Sequence, residues 1–105
     1  MAELTVIYWR DIPAQVVARA GGTTARRQLS DRFQLAIDGA AMKGGLAGMD
    51  EYLHEWRRET RPCGDELERE VAEEAERLEA AFTADVLRRL VRAGGLADVD
   101  DGSVL

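Results

Sequence analysis

A single cysteine and a single histidine remove whole classes of chemistry from this sequence. A Cys/His zinc site, an iron–sulfur cluster and an internal disulfide framework each need several such ligands or at least a second thiol. Long apolar runs are also missing: none approaches the ~20 residues that a membrane-spanning helix needs. The opening Met1-Ala2-Glu3-Leu4-Thr5 reaches Arg10 and Asp11 after one short apolar run, too short and too charged for a signal-peptide core. The expectation is a soluble cytoplasmic protein with no membrane association, and a lone thiol suits that compartment. Positive charge is in deficit, 14 Lys and Arg against 20 Asp and Glu for a net −6. A field of that sign repels phosphate and argues against a general nucleic-acid binder. With 105 residues, the chain has room for one domain with a modest core. No glycine-rich phosphate loop of known spacing and no internal repeat is present.

The residues that are there predict an α+β domain, an N-terminal β-hairpin packed against three or four helices. Thr5-Val6-Ile7-Tyr8-Trp9 is β-branched and aromatic throughout, which suits a strand over 4–10. Leu4, Val6 and Tyr8 share one of its faces, Ile7 and Trp9 the other, so both faces are expected to find cover, as in an interior or helix-covered strand. Asp11-Ile12-Pro13 interrupts it, and Ala14 to Arg19 alternates as a half-exposed second strand closed by Gly21-Gly22. Leu29, Phe33, Ala36, Ile37 and Ala40 recur at helical spacing, predicting a helix over 25–43 in which Gly39 marks a close approach by a neighbour. Asp50 is a candidate cap for a short helix over 51–59 carrying Tyr52, Leu53 and Trp56, and Thr60 to Gly64 can add an edge strand.

Asp65 and Glu68 have capping-box spacing, and Leu67, Val71, Ala75, Leu78 and Phe82 continue as a long apolar stripe. Thr83 is positioned to restart the helix before it ends at Gly94-Gly95. The single domain then spans 1–95, and the acidic 96–105 is expected to fray. If one hairpin and two shorter helices leave part of the long stripe uncovered, a homodimer or a partner would bury it; the alternative is cover from Leu29, Phe33, Ile37, Tyr52 and Trp56 within one chain.

Charge is divided along the chain. Residues 1–62 hold nine Lys and Arg against eight Asp and Glu, and 63–105 hold five against twelve. Arg19, Arg26, Arg27, Arg32 and Lys43 are candidates for a basic patch at the start of the first predicted helix, where the helix dipole favours an anion. A solvated face paired locally with Asp31 and Asp38 is the plainer alternative. Tyr8-Trp9-Arg10-Asp11 combines the residue types that dominate binding hot spots, although core packing of the aromatics around an organised turn explains it as well. His54 has no nucleophile or second ligand near it in sequence. Cys63 has no neighbour to lower its pKa, and the pairs Glu73-Glu74 and Glu66/Glu70 read as a wet helix face. No catalytic residue and no cofactor are expected.

Tyr8 to Val16, Arg26 to Phe33 with Ala36-Ile37-Asp38 and Ala40-Ala41-Met42, and Tyr52-Leu53 with Glu55 to Arg58 form three blocks that together resemble the small bacterial domain family labelled "virulence factor". That family includes stand-alone proteins of about this length and domains attached to NifU-like scaffold and HEAT-repeat segments. The resemblance implies a bacterial, cytoplasmic, auxiliary role near folate- and corrinoid-dependent one-carbon metabolism, and it brings no catalytic residues. Two function classes follow. One is a non-catalytic adaptor that binds a protein partner through Tyr8, Trp9, Arg10, Arg26, Arg27 and Arg32. The other is a small-ligand module in which Arg10, Arg26, Arg27 and Arg32 converge on a phosphate or carboxylate.

Overall fold

Strand-forming side chains at the N-terminus build β1, Glu3–Trp9, which pairs antiparallel with β2, Ile12–Ala20. The computed structural model describes residues 1–45 and 49–97. Leu4 and Val6 of β1 face Ala18 and Val16 of β2 across the ladder, and all four are buried. The register shifts where Ile7 opposes Gln15 but Tyr8 opposes Pro13. Ala14 is therefore the extra residue of a bulge, and its carbonyl accepts from the Leu29 N–H at 3.0 Å. A bulge next to the strand end is where a proline without an N–H is tolerated.

The sheet is larger than the predicted hairpin. Gly21-Gly22 turns the chain into β3, Thr23–Gln28, which pairs with β2, while β4, Trp56–Pro62, pairs with the other side of β1. The order is β3-β2-β1-β4, all antiparallel. Two expectations are corrected here. Residues 25–28 are strand, so the first helix starts six residues later than expected. Residues 56–59 are strand, so the second helix is shorter. In both segments only one residue supplies an apolar anchor, Ala25 in one and Trp56 in the other. Pairing with distant strands supplies the rest, and that context overrides local pattern.

Helix α1, Asp31–Lys43, follows Ser30 and buries Phe33, Ala36, Ile37, Ala40 and Ala41. Ser30 makes no side-chain cap within the helix; its N–H and Oγ donate to the Glu79 carboxylate at 2.7 and 2.9 Å. Helix α2, Met49–His54, starts before Asp50, so Asp50 is not its cap residue. Helix α3, Leu67–Ala81, has Glu66 at its N-cap without a side-chain bond, so the Asp65 capping box does not form. Glu68 and Glu70 in its first turn still complement the positive end of the helix. Helix α4, Ala84–Arg92, restarts at Thr83 as expected, and the Thr83 hydroxyl accepts from the Val86 N–H at 3.3 Å.

Helix α3 lies on β2 and β3, and α1 lies on β2 and α4. The expected close approach at Gly39 is to α4: a Cβ there would stand 3.3 Å from Val91 Cγ1. The long apolar stripe is covered within the chain, with Leu67, Val71, Ala75 and Leu78 buried and Phe82 half-buried. Its cover is the sheet rather than the shorter helices; of the aromatics expected to meet it, Phe33 packs on Phe82 at 6.1 Å between ring centroids. The uncovered stripe that motivated a homodimer is therefore absent from these elements. Among the described residues no helix is long and apolar enough to cross a membrane. Of the acidic tail expected to fray, residues 98–105 lie outside the described residues.

Candidate functional site

The block Tyr8-Trp9-Arg10-Asp11 sits where β1 turns into β2, and most of it is spent on the fold. Trp9 is fully buried; its indole N–H donates to the Tyr52 carbonyl at 2.9 Å and its ring lies 5.6 Å from that of Tyr52. Arg10 has a φ of 54°, a left-handed conformation that costs a non-glycine residue roughly 1–2 kcal/mol. Three bonds hold it there: its N–H donates to the Glu55 carbonyl at 2.9 Å, Nε to Glu55 Oε1 at 3.1 Å, and Nη1 to the Gly94 carbonyl at 2.8 Å. Asp11 donates its N–H to the Gly95 carbonyl, and its carboxylate accepts from Arg57 Nη2 at 3.0 Å and from the Ala97 N–H. This turn thus fastens β4 and the end of α4 to the sheet.

Glycine is required opposite it. Gly95 has a φ of +93°, and a Cβ at that position would lie 2.8 Å from Trp9 Cζ3.

The predicted arginine patch does not assemble. Arg26 and Arg27 lie on β3, not at a helix start, and successive strand residues point to opposite faces. Arg27, with Glu76 and Glu79, lines a hollow against α3. Arg32 on α1 pairs with Glu79 at 3.0 Å, donates to the carbonyls of Glu79 and Phe82, and stacks over Phe33 at 4.9 Å. Arg10 is held in its turn, and Lys43 stands exposed at the far end of α1. Arg27 and Arg32 both lie beside Glu79, but Arg10 is held in its turn and Arg26 points to the other face of the sheet, so the four do not share one surface.

A different set of arginines shares a surface. Helices cover the side of the sheet bearing Leu4, Val6, Val16 and Ala18. The other side carries Glu3, Thr5 and Ile7 of β1, Gln15, Val17 and Arg19 of β2, Thr24, Arg26 and Gln28 of β3, and Arg58 and Thr60 of β4, by their register. Except for Val17, these residues are half-buried or exposed; the same alternation continues to Trp9 and its partner Ile12, both fully buried at the end of the face that meets α2. Thr5 and Thr60 share a hydrogen bond of 2.9 Å across this face. Arg19, Arg26 and Arg58 are exposed and make no ion pair among the described residues. At its β1–β4 end the face meets α2, where Tyr52 packs edge-on against Trp56 at 6.1 Å. Beside it, Ile7, Gln15, Trp56, Arg57 and Arg58 line a shallow depression.

The helix side has its own concavity. Tyr8, Asp11, Arg57, Phe82, Val86, Arg89, Leu90 and Ala97 line a cleft of about 490 Å³. Arg57 lies 4.4 Å over the Tyr8 ring, donates from Nε to the Arg10 carbonyl at 2.8 Å, and pairs with Asp11 and Glu59. Burial disfavours its charge, but the bonds to Glu59 and Asp11 outweigh this and raise its pKa. Burial, helped by the Glu59 charge, pushes the Tyr8 phenol up from its usual value. Arg57, Arg58 and Arg89 were not singled out in the sequence. Taking Trp56 to Glu59 for the end of a helix hid the alternation that sends Arg57 and Arg58 to opposite faces.

His54 is exposed at the end of α2. Burial, then the Glu70 charge, raises the Cys63 pKa, which disfavours the reactive thiolate. Glu74 corrects the reading of a wet face: it is buried and accepts from Arg61 at 3.1 Å and Arg77 at 2.6 Å. Among the described residues no group of three or more His, Cys, Asp or Glu could hold a metal ion.

No curated protein and no solved structure matches the chain. A family model described as virulence factor matches residues 7–91, from the end of β1 into α4 and through all of β2, β3 and β4, and the chain belongs to that family.

Proposed function

We propose that this chain is a non-catalytic accessory protein that docks an acidic protein partner on the open face of its sheet. One observation carries the reading: among the described residues Arg19, Arg26 and Arg58 make no ion pair on the sheet face turned away from α1 and α3, and Glu3 is the one acid that the strand register places on that face, in a chain whose net charge is −6. A local positive field on an acidic molecule orients a partner and suppresses wrong encounters more than it adds affinity. Four strands about 4.8 Å apart, each some seven residues long, give a face roughly 20 Å on a side. That is about half the footprint of a standard interface, so the complex is of the transient class. The family resemblance makes enzymes of folate- and corrinoid-dependent one-carbon metabolism in a bacterial cytoplasm the first partners to test.

Affinity purification of the tagged protein after mild cross-linking tests this. A stoichiometric acidic partner is expected from the wild type at low salt, with loss of that partner in Arg26→Glu/Arg58→Glu. Its retention by the charge-reversed variant, or no stoichiometric partner at all, contradicts the reading. The alternative four-arginine ligand site has no support from the geometry, since Arg10, Arg26, Arg27 and Arg32 do not converge.

A further inference from the structure

We infer that the cleft between Tyr8 and α4 is a binding site for a small amphipathic carboxylate, a molecule with an apolar body and one negative charge. Phe82, Val86 and Leu90 form a continuous apolar wall, and the volume of about 490 Å³ lies within the usual range of ligand pockets. Arg57 already engages Asp11, Glu59 and the Arg10 carbonyl through three of its five N–H groups, and its plane rests on the Tyr8 ring, so two carboxylates stand between it and an incoming anion. It acts as a fixed part of the floor. Two polar groups of the lining have no hydrogen-bond or ion-pair partner among the described residues, the Tyr8 hydroxyl and the Arg89 guanidinium.

A phenol that keeps its proton is a donor, and a guanidinium offers a forked pair of donors suited to a carboxylate. Asp11 and Glu59 more than offset Arg57, and Arg89 brings these four charges to zero; Arg89 is the cation of the lining that has no acid partner among the described residues. One forked donor beside two carboxylates suits a monoanion and not a phosphate dianion. Tyr8 and Arg89, the two groups assigned to the ligand, lie on the helix side of the sheet, and Arg57, which also borders the depression beside Arg58, is not one of them, so this site and the docking face stand or fall separately.

Titration of the ¹⁵N-labelled protein with 4-phenylbutyrate, followed by amide shifts, tests the assignment, with 4-phenylbutanol as the neutral analogue of the same shape. The expected result is a saturable shift at Phe82, Val86 and Ala97, with the alcohol bound roughly tenfold more weakly, the worth of one charge-assisted hydrogen bond. Arg89→Gln, an exposed position whose variant keeps the dispersed spectrum of the fold, weakens the acid by a similar factor and leaves the alcohol unchanged. No saturable shift, equal binding of acid and alcohol, or shifts confined to Arg26 and Arg58 would overturn the assignment.

Discussion

The two faces of the sheet are made by the same strands, with side chains that alternate between them, and they do different work. On one face Leu4, Val6, Val16 and Ala18 are buried under α1 and α3 and join a single core with Phe33, Ile37, Val71 and Leu78. On the other, Thr5, Ile7, Arg26, Arg58 and Thr60 stay exposed or half-buried. Antiparallel sheets permit this division, because one face suffices to bury the core. The lesson is that charge on the second face is free of the folding problem, whereas on the first Arg57 and Arg61 are committed to ion pairs, as are Arg10 in the turn and Arg32 on α1.

The comparison breaks most directly at two neighbours on β1. Leu4→Ala removes a fully buried side chain and is expected to cost about 2–5 kcal/mol, while Thr5→Ala, one residue on, changes stability by less than about 1 kcal/mol. Urea unfolding of both variants checks this, and equal costs would mean that both faces are covered. A smaller loss, about 1–3 kcal/mol, is expected for Gly95→Ala, because the new Cβ meets the Trp9 ring and an L-residue is forced to positive φ. The same variant loosens the turn that positions Asp11 and Ala97, so weaker protection of the Ala97 amide in hydrogen exchange accompanies the lost stability.

The pH dependence of stability sharpens the contrast further. Tyr8 has a folded-state pKa raised above the ordinary 10.0 by burial and by Glu59. The folded state therefore holds this proton more tightly than the unfolded state. The resulting stability is fully present below about pH 10 and is lost as pH rises through the folded value. Tyr8→Phe is expected to flatten the alkaline limb of the stability profile, read as the unfolding midpoint between pH 9 and 11. An unchanged limb would mean that the Tyr8 phenol is as hydrated as in the unfolded chain.

Many of the elements were legible in the sequence, but this division was not, because apolar residues on both sides of β1 predict cover on both faces; the misses have common causes. The β1 alternation, the α1 and α3 stripes, the Thr83 restart and the neighbour at Gly39 all follow from local spacing and small-residue logic. β3 and β4 were lost or shortened because Thr23-Thr24-Ala25-Arg26-Arg27-Gln28 and Trp56 to Pro62 carry almost no apolar pattern. Their partners lie elsewhere in the chain, β4 against a strand some fifty residues earlier. With those strands misplaced, Arg26 and Arg27 were read as neighbours on one surface when the pleat separates them. Arg58 could not be joined to Arg19 and Arg26 without the register across four strands. Glu74 looked like its solvated neighbours because the arginine that reaches it, Arg61, comes from β4, and the expected edge strand there carried no sign of which side Arg61 would take.

The central claim, one covered face and one open face in the free protein, is tested most directly by solvent paramagnetic relaxation of side-chain methyl groups with an inert gadolinium chelate. The account predicts strong broadening of the methyls of Thr5, Ile7 and Thr60, with Leu4, Val6 and Ile37 little affected. Ile7 and Thr60 protected as fully as Val6 would contradict it, showing that something covers the second face and that its arginines are not available to a partner.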